Sequence, residues 1–126
     1  MFEVSVERTF AAAHQLRDYK GKCENLHGHN YKVRVTVQAE ELDAAGLVVD
    51  FVEIKRLMDQ IIERLDHTYL NDIPPFDRLN PSAENIAKLF FDELDRGLKA
   101  AAMANSPRLA AVKVWETETS TATYRP

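Results

Sequence analysis

The sequence predicts an α+β fold. Three observations carry that expectation: two early stretches of strict apolar–polar alternation, two central stretches with helical spacing, and a return to strand-like sequence at the end. In the first stretch Phe2, Val4, Val6 and Phe10 fall at even positions, with Glu3, Ser5, Glu7 and Thr9 between them. A strand alternates its side chains between two faces, so one face is predicted buried. The second stretch is cleaner: Tyr31, Val33, Val35 and Val37 alternate with Lys32, Arg34, Thr36 and Gln38. A charged loop from Gln15 to Leu26, containing Gly21, separates the two. Asp50 is placed to cap a helix, with Glu53 three residues on as in a capping box. Ile54, Leu57, Met58, Ile61, Ile62 and Leu65 then repeat at helical spacing. After a loop with Pro74 and Pro75, a second helix is predicted from about Asn80-Pro81-Ser82 through Ile86, Leu89, Phe90, Leu94 and Leu98. Ala111 to Glu116 and Ala122 to Tyr124 are predicted as two final strands. The order strand, strand, helix, helix, strand, strand predicts a four-stranded antiparallel sheet with two helices on one face. The open edges of such a sheet suit strand-to-strand oligomerisation.

The 126 residues fit a single domain, 1–126, without repeats or linkers. Leu, Ile, Val and Phe supply 33 residues, enough for a packed core and too many for a disordered chain. A formal charge of −4 argues against nucleic-acid binding, which needs a basic face. The longest purely apolar run, Ala100 to Ala104, falls far short of the ~18 residues of a membrane span. One Cys cannot form an internal disulfide, and the N-terminus lacks an export pattern, so a cytoplasmic protein is expected.

The chemistry concentrates around the histidines. In His27-Gly28-His29 the two imidazoles are two residues apart and point the same way in an extended chain. His29 shares parity with Tyr31, Val33 and Val35, and His14 shares parity with Phe10 and Ala12, so all three aim at the apolar face. Pairing the two strands would converge them. Three neutral nitrogen ligands with a fourth place open is the pattern of a catalytic zinc site. Ordinary polar histidines beside a loop would show the same parity, and parity alone leaves both readings standing.

Cys23 stands near Arg17, Lys20 and Lys22, cations that favour a thiolate, although a lone Cys is more often a small buried apolar residue. Those bases could hold a phosphorylated ligand or simply solvate the loop. Asp66-His67 ends the first helix, where a carboxylate can orient an imidazole or the pair can merely cap the helix. Glu116 continues the buried parity set by Ala110, Val112 and Val114. An inward carboxylate needs donors, such as the guanidine-like N–H edge of a pterin or guanine, unless the strand has already ended.

On these residues the chain resembles the 6-pyruvoyl-tetrahydropterin synthase / 6-carboxy-tetrahydropterin synthase family. The matching pieces are FAAAH (Phe10 to His14), GKCENLHGHNYKV (Gly21 to Val33), GLVVDF (Gly46 to Phe51), LDHTYLND (Leu65 to Asp72), NPSAENIA (Asn80 to Ala87) and VKVWET (Val112 to Thr117). The resemblance implies the tunnelling fold (T-fold) and trimers stacked into a homo-hexamer. It implies His14, His27 and His29 as zinc ligands and Cys23 as catalytic base. Asp66 and His67 would handle protons from a neighbouring subunit. Glu116 would anchor the pterin ring, and the start of the second helix, around Ser82 to Glu84, would approach it. The implied substrate is 7,8-dihydroneopterin triphosphate.

The spacing Cys-x3-His-Gly-His resembles the 6-carboxy-tetrahydropterin synthases of the queuosine (7-deazaguanine) branch, which lose acetaldehyde and triphosphate. Glu24 adds a second pattern, Glu-x2-His-Gly-His, like that of family members making 6-hydroxymethyl-dihydropterin for folate. The alternatives are therefore this aldolase-like activity, the 6-pyruvoyl product of the biopterin branch, and a zinc- and pterin-binding module without turnover.

Overall fold

The structure, a computed structural model, describes residues 1–21 and 24–126. Two thirteen-residue strands, β1 (Phe2–His14) and β2 (His27–Ala39), pair antiparallel along their whole length. The helix α1 (Phe51–Leu65) follows, then a two-residue strand β3 (Thr68–Tyr69) and a 3-10 turn at Leu70–Asp72. The helix α2 (Ala83–Ala100) leads to β4 (Arg108–Trp115) and β5 (Thr121–Tyr124).

The sheet order is β3-β1-β2-β4-β5. Four strands are antiparallel as expected, and β3 adds a fifth, parallel to β1 at Ala12 and Ala13. Two residues are too few to show a period, so the sequence carries no strand signal there. The N-cap at Asp50 forms: its carboxylate accepts from Val52 N at 2.9 Å. The reciprocal half of the capping box does not form, because the Glu53 carboxylate pairs with Arg56 instead. Ser82 caps α2 and accepts from Asn85 N at 3.2 Å.

Both helices cover one face of the sheet, α1 against β1 and α2 against β4 and β5. Alternate residues of the long strands, Val6 and Phe10 with Tyr31, Val33, Val35 and Val37, meet Ile54, Met58, Ile61, Ile86, Phe90 and Leu94 from the helices. Phe10 stacks on Tyr31 at 4.9 Å between ring centroids. Burying each such side chain contributes roughly 1.5–3 kcal/mol. Arg8 breaks the apolar face of β1 and pairs with Asp59 of α1 at 3.0 Å. Strand β4 departs from simple alternation. Val37 pairs with Leu109 and Thr36 with Ala111, so Ala110 is the extra residue of a β-bulge. Leu109 is buried in place of Ala110, and Val112 and Val114 resume the inward parity.

Among the described residues no helix is long and apolar enough to cross a membrane.

Candidate metal centre and its surroundings

The β1–β2 register builds the centre. His14 faces His27, and Ala12 faces His29, so all three imidazoles lie at one end of the helix-covered face. Their closest ring nitrogens lie within 4.8 Å of one another and could hold a metal ion. His14 is fully buried, while His27 and His29 are partly exposed.

Hydrogen bonding settles which nitrogens are free. A carbonyl can only accept, so His14 Nδ1–H donates to Pro81 O at 2.7 Å and His27 Nδ1–H donates to Asn25 O at 2.8 Å. In the neutral, ligating form both rings then present Nε2 lone pairs, and these two nitrogens face each other at 3.0 Å. Two acceptors at that distance repel unless a cation lies between them. His29 Nε2 is buried and, among the described residues, has no hydrogen-bond partner. Burial lowers the pKa of His29 below its ordinary 6.5, which favours the neutral, ligating form. The donor set fits a divalent metal that accepts imidazole nitrogen.

The surroundings orient the ligands, as outer partners do in metal sites. The Tyr31 hydroxyl lies 3.1 Å from His14 Nδ1, and its burial, with Glu116 and Glu24 nearby, raises its pKa so that it stays protonated. Residues 15–17, just past β1, are held strand-like by side chains. Asn71 accepts from Gln15 N and donates to Gln15 O, and Asn80 does the same for Arg17. On the intervening residue, Glu24 Oε1 accepts from Leu16 N at 3.2 Å while Glu24 N donates to Leu16 O. The Arg17 guanidinium donates to the carbonyls of Leu79, Asn71 and Phe76, which commits it to the fold rather than to a phosphorylated ligand. These clamps, and the carbonyls of Pro81 and Asn25, carry no signal in the sequence.

Each expected site residue can now be placed. Glu24 brings its carboxylate to 3.8 Å from His27 Nε2. Glu116 extends past the end of β4 and sets Oε1 3.3 Å from His14 Nε2 and 3.5 Å from His29 Nε2. Ser82 follows the carbonyl that holds His14 and spends its hydroxyl on the helix cap. Cys23 lies outside the described residues.

Asp66 and His67 sit at the opposite edge of β1. Asp66 Oδ1 accepts from Ala11 N at 2.9 Å, and His67 N donates to Ala11 O at 2.6 Å. The Ala11 amide, more than His67, holds the Asp66 carboxyl below its ordinary 3.8. Asp66 Oδ2 lies 3.0 Å from His67 Nδ1. His67 adopts a left-handed backbone, φ 57°, which L-residues adopt at a cost of about 1–2 kcal/mol, and its side chain is 82 % exposed. It borders an open groove of about 540 Å³ lined also by Ala13, Asn30 and His29. His67 directly precedes β3, on the far side of β1 from β2, the strand that carries His27 and His29. Among the described residues, the group whose ligand atoms cluster is His14, His27 and His29, without His67.

Fold and cluster define a small α+β protein with three histidines at the end of its sheet that could hold a metal ion. Residues 3–126 match the family model described as 6-pyruvoyl tetrahydropterin synthase, and the chain belongs to that family. It is 38 % identical to the 6-carboxy-5,6,7,8-tetrahydropterin synthase of Bacillus subtilis, over 99 % of this chain and 86 % of that one. It is 35 % identical to the human 6-pyruvoyl tetrahydrobiopterin synthase, over 98 % of this chain and 90 % of the other. The structure of the Caenorhabditis elegans 6-pyruvoyl tetrahydropterin synthase superposes with a TM-score of 0.79 at 32 % identity, covering 100 % of this chain and 97 % of that one.

Proposed function

We propose that the protein is a zinc-dependent lyase that converts 7,8-dihydroneopterin triphosphate and one water to 6-carboxy-5,6,7,8-tetrahydropterin, acetaldehyde and triphosphate. The observation that carries a metal-dependent activity is the facing pair of Nε2 atoms in His14 and His27, both with their Nδ1 protons committed to carbonyls. The Cys-x3-His-Gly-His spacing, shared in kind with the queuosine-branch synthases, and relatives named 6-carboxy-tetrahydropterin synthase support this product.

His14, His27 and His29 would hold the zinc, which as a Lewis acid polarises the oxygens of the substrate side chain. Cys23 removes the neighbouring carbon-bound proton as thiolate, a stronger base than a carboxylate and present at neutral pH when cations lower its pKa. His67 exchanges protons with the side-chain oxygens and is oriented by Asp66, whose second oxygen is fixed on Ala11. Its exposed side chain supports its service to the site of a neighbouring subunit, in a homo-hexamer of stacked trimers. Glu116 accepts from the amino and ring N–H groups of the pterin, and Ser82 borders the ring.

A second reading has its own observation. Glu24 holds its carboxylate 3.8 Å from His27 Nε2, where it could act as base in an aldolase-like cleavage to 6-hydroxymethyl-dihydropterin. Mass spectrometry of the products formed by zinc-loaded protein decides between them. Acetaldehyde with 6-carboxy-tetrahydropterin is expected; 6-pyruvoyl-tetrahydropterin or 6-hydroxymethyl-dihydropterin as sole product would overturn the assignment. Binding of pterin without triphosphate release would leave a binding module.

A further inference from the structure

We infer that Glu116 is a displaceable fourth ligand of the metal, closing the open corner of the three-histidine centre until substrate arrives. The inference rests on the metal-centre reading above and deepens it.

The argument starts from protons. His14 Nδ1 is engaged by Pro81 O at 2.7 Å, which leaves Nε2 as the nitrogen turned to the cluster. Yet Glu116 Oε1 stands 3.3 Å from that nitrogen. A carboxylate oxygen and an unprotonated imidazole nitrogen are both acceptors, and a metal cation between them turns that approach into shared ligation. The same oxygen is 3.5 Å from His29 Nε2, which has no other partner among the described residues.

The spacing of Glu116 from His14 and His29 agrees with ligation. Zinc binds imidazole nitrogen and carboxylate oxygen at ~2.0–2.2 Å, so the ligand atoms of a tetrahedral site lie roughly 3.3–3.5 Å apart. His14 to His27 is 3.0 Å, His14 to Glu116 is 3.3 Å, and His29 to Glu116 is 3.5 Å. Glu24, at 3.8 Å from His27 Nε2 and with Oε1 engaged by Leu16 N, fits the corner less well.

The arrangement also orders two tasks of one carboxylate. The metal would hold the oxygens of the substrate side chain, whereas the guanidine-like edge lies on the far side of the bicyclic ring. Glu116 cannot sit on the metal and bind that edge at once. Substrate oxygens must displace it, and the freed carboxylate becomes available to the pterin N–H groups.

The test uses full-length protein loaded with cobalt(II) in place of zinc, without substrate, and follows broadening of its electron paramagnetic resonance lines in ¹⁷O-enriched water. Native protein should show no broadening, because no solvent oxygen reaches the metal. Glu116→Gln should bind cobalt and show broadening as water takes the vacated corner. Broadening already present in the native protein, or none in Glu116→Gln, would overturn the inference. If the variant fails to retain cobalt, the native spectrum alone decides by the same criterion. A native chain that takes up no cobalt in a His27-dependent way would overturn the metal reading itself, and this inference with it.

Discussion

The side-chain amide of Asn71 grips the backbone of Gln15 at both ends: Oδ1 accepts from Gln15 N at 2.9 Å, and Nδ2 donates to Gln15 O at 2.7 Å. The amide replaces a missing neighbouring strand just beyond β1. It fixes the chain one residue after His14, and Asn80 repeats the device at Arg17.

Asn71→Ala should therefore destabilise the protein by about 2–4 kcal/mol, because two hydrogen bonds vanish and two backbone groups lose their partners. Asn71→Asp keeps the acceptor and loses the donor, and should fall between native and Asn71→Ala. Urea unfolding of the metal-free protein measures both. A loss below 1 kcal/mol for the alanine variant would show that water replaces the clamp at no cost.

Metal content should follow the imidazoles. Double substitution His27→Ala with His29→Ala should abolish stoichiometric zinc binding, since one imidazole is a weak site. Elemental analysis after dialysis checks this, and full zinc occupancy in the double variant would refute the ligand set. Tyr31→Phe removes only an outer contact with His14 and should leave the stoichiometry intact.

Acid should strip the metal. Protons compete for imidazole nitrogen, so apparent zinc affinity should fall as pH drops below about 6.5, with proton uptake on metal release. Burial of His29 lowers its pKa and extends its ligating range below that of a free imidazole. Chelator competition over a pH series gives the curve, and an affinity independent of pH would contradict imidazole ligation.

Asp66 should stabilise the fold in a pH-dependent way. Its native pKa lies below the ordinary 3.8, chiefly through the Ala11 amide. The contribution is present above about pH 4 and is lost as pH falls through the lowered native value. The difference in urea midpoint between native protein and Asp66→Asn should thus be constant near neutrality and should narrow in acid.

Shared active sites should reveal themselves by complementation. Cys23→Ala and His67→Ala homo-oligomers should each be nearly inactive, since removing a proton-transfer group costs roughly 10²–10⁴-fold. Mixed under conditions that exchange subunits, they should regain part of the activity. No recovery after demonstrated exchange would assign both residues to one subunit's site.

The three histidines were legible because β1 and β2 run without interruption into His14 and His27, so parity counted from the apolar residues carries to the strand ends. Glu116 was legible for the same reason from Val112 and Val114, although Ala110 belongs to a bulge and Leu109 takes the buried place. The carbonyls and amides that orient the site were not legible. Pro81, Asn71 and Asn80 act through a loop far along the chain, and no local period records where a loop will fold back. Arg8 was hidden as well, because its partner Asp59 lies on another element.

The bulge at Ala110 gives β4 one residue to spare. Losing Ala110 would set Leu109 directly before Ala111 and restore an ordinary ladder, with Leu109, Val112, Val114 and Glu116 all still on the helix-covered side. Losing Lys113 instead would turn Val114 outward and carry Glu116 away from the histidines. Two deletions of equal length, three positions apart, thus have opposite meanings. When relatives are aligned across this strand, a gap belongs at the bulge, where natural length variation can pass without touching the centre.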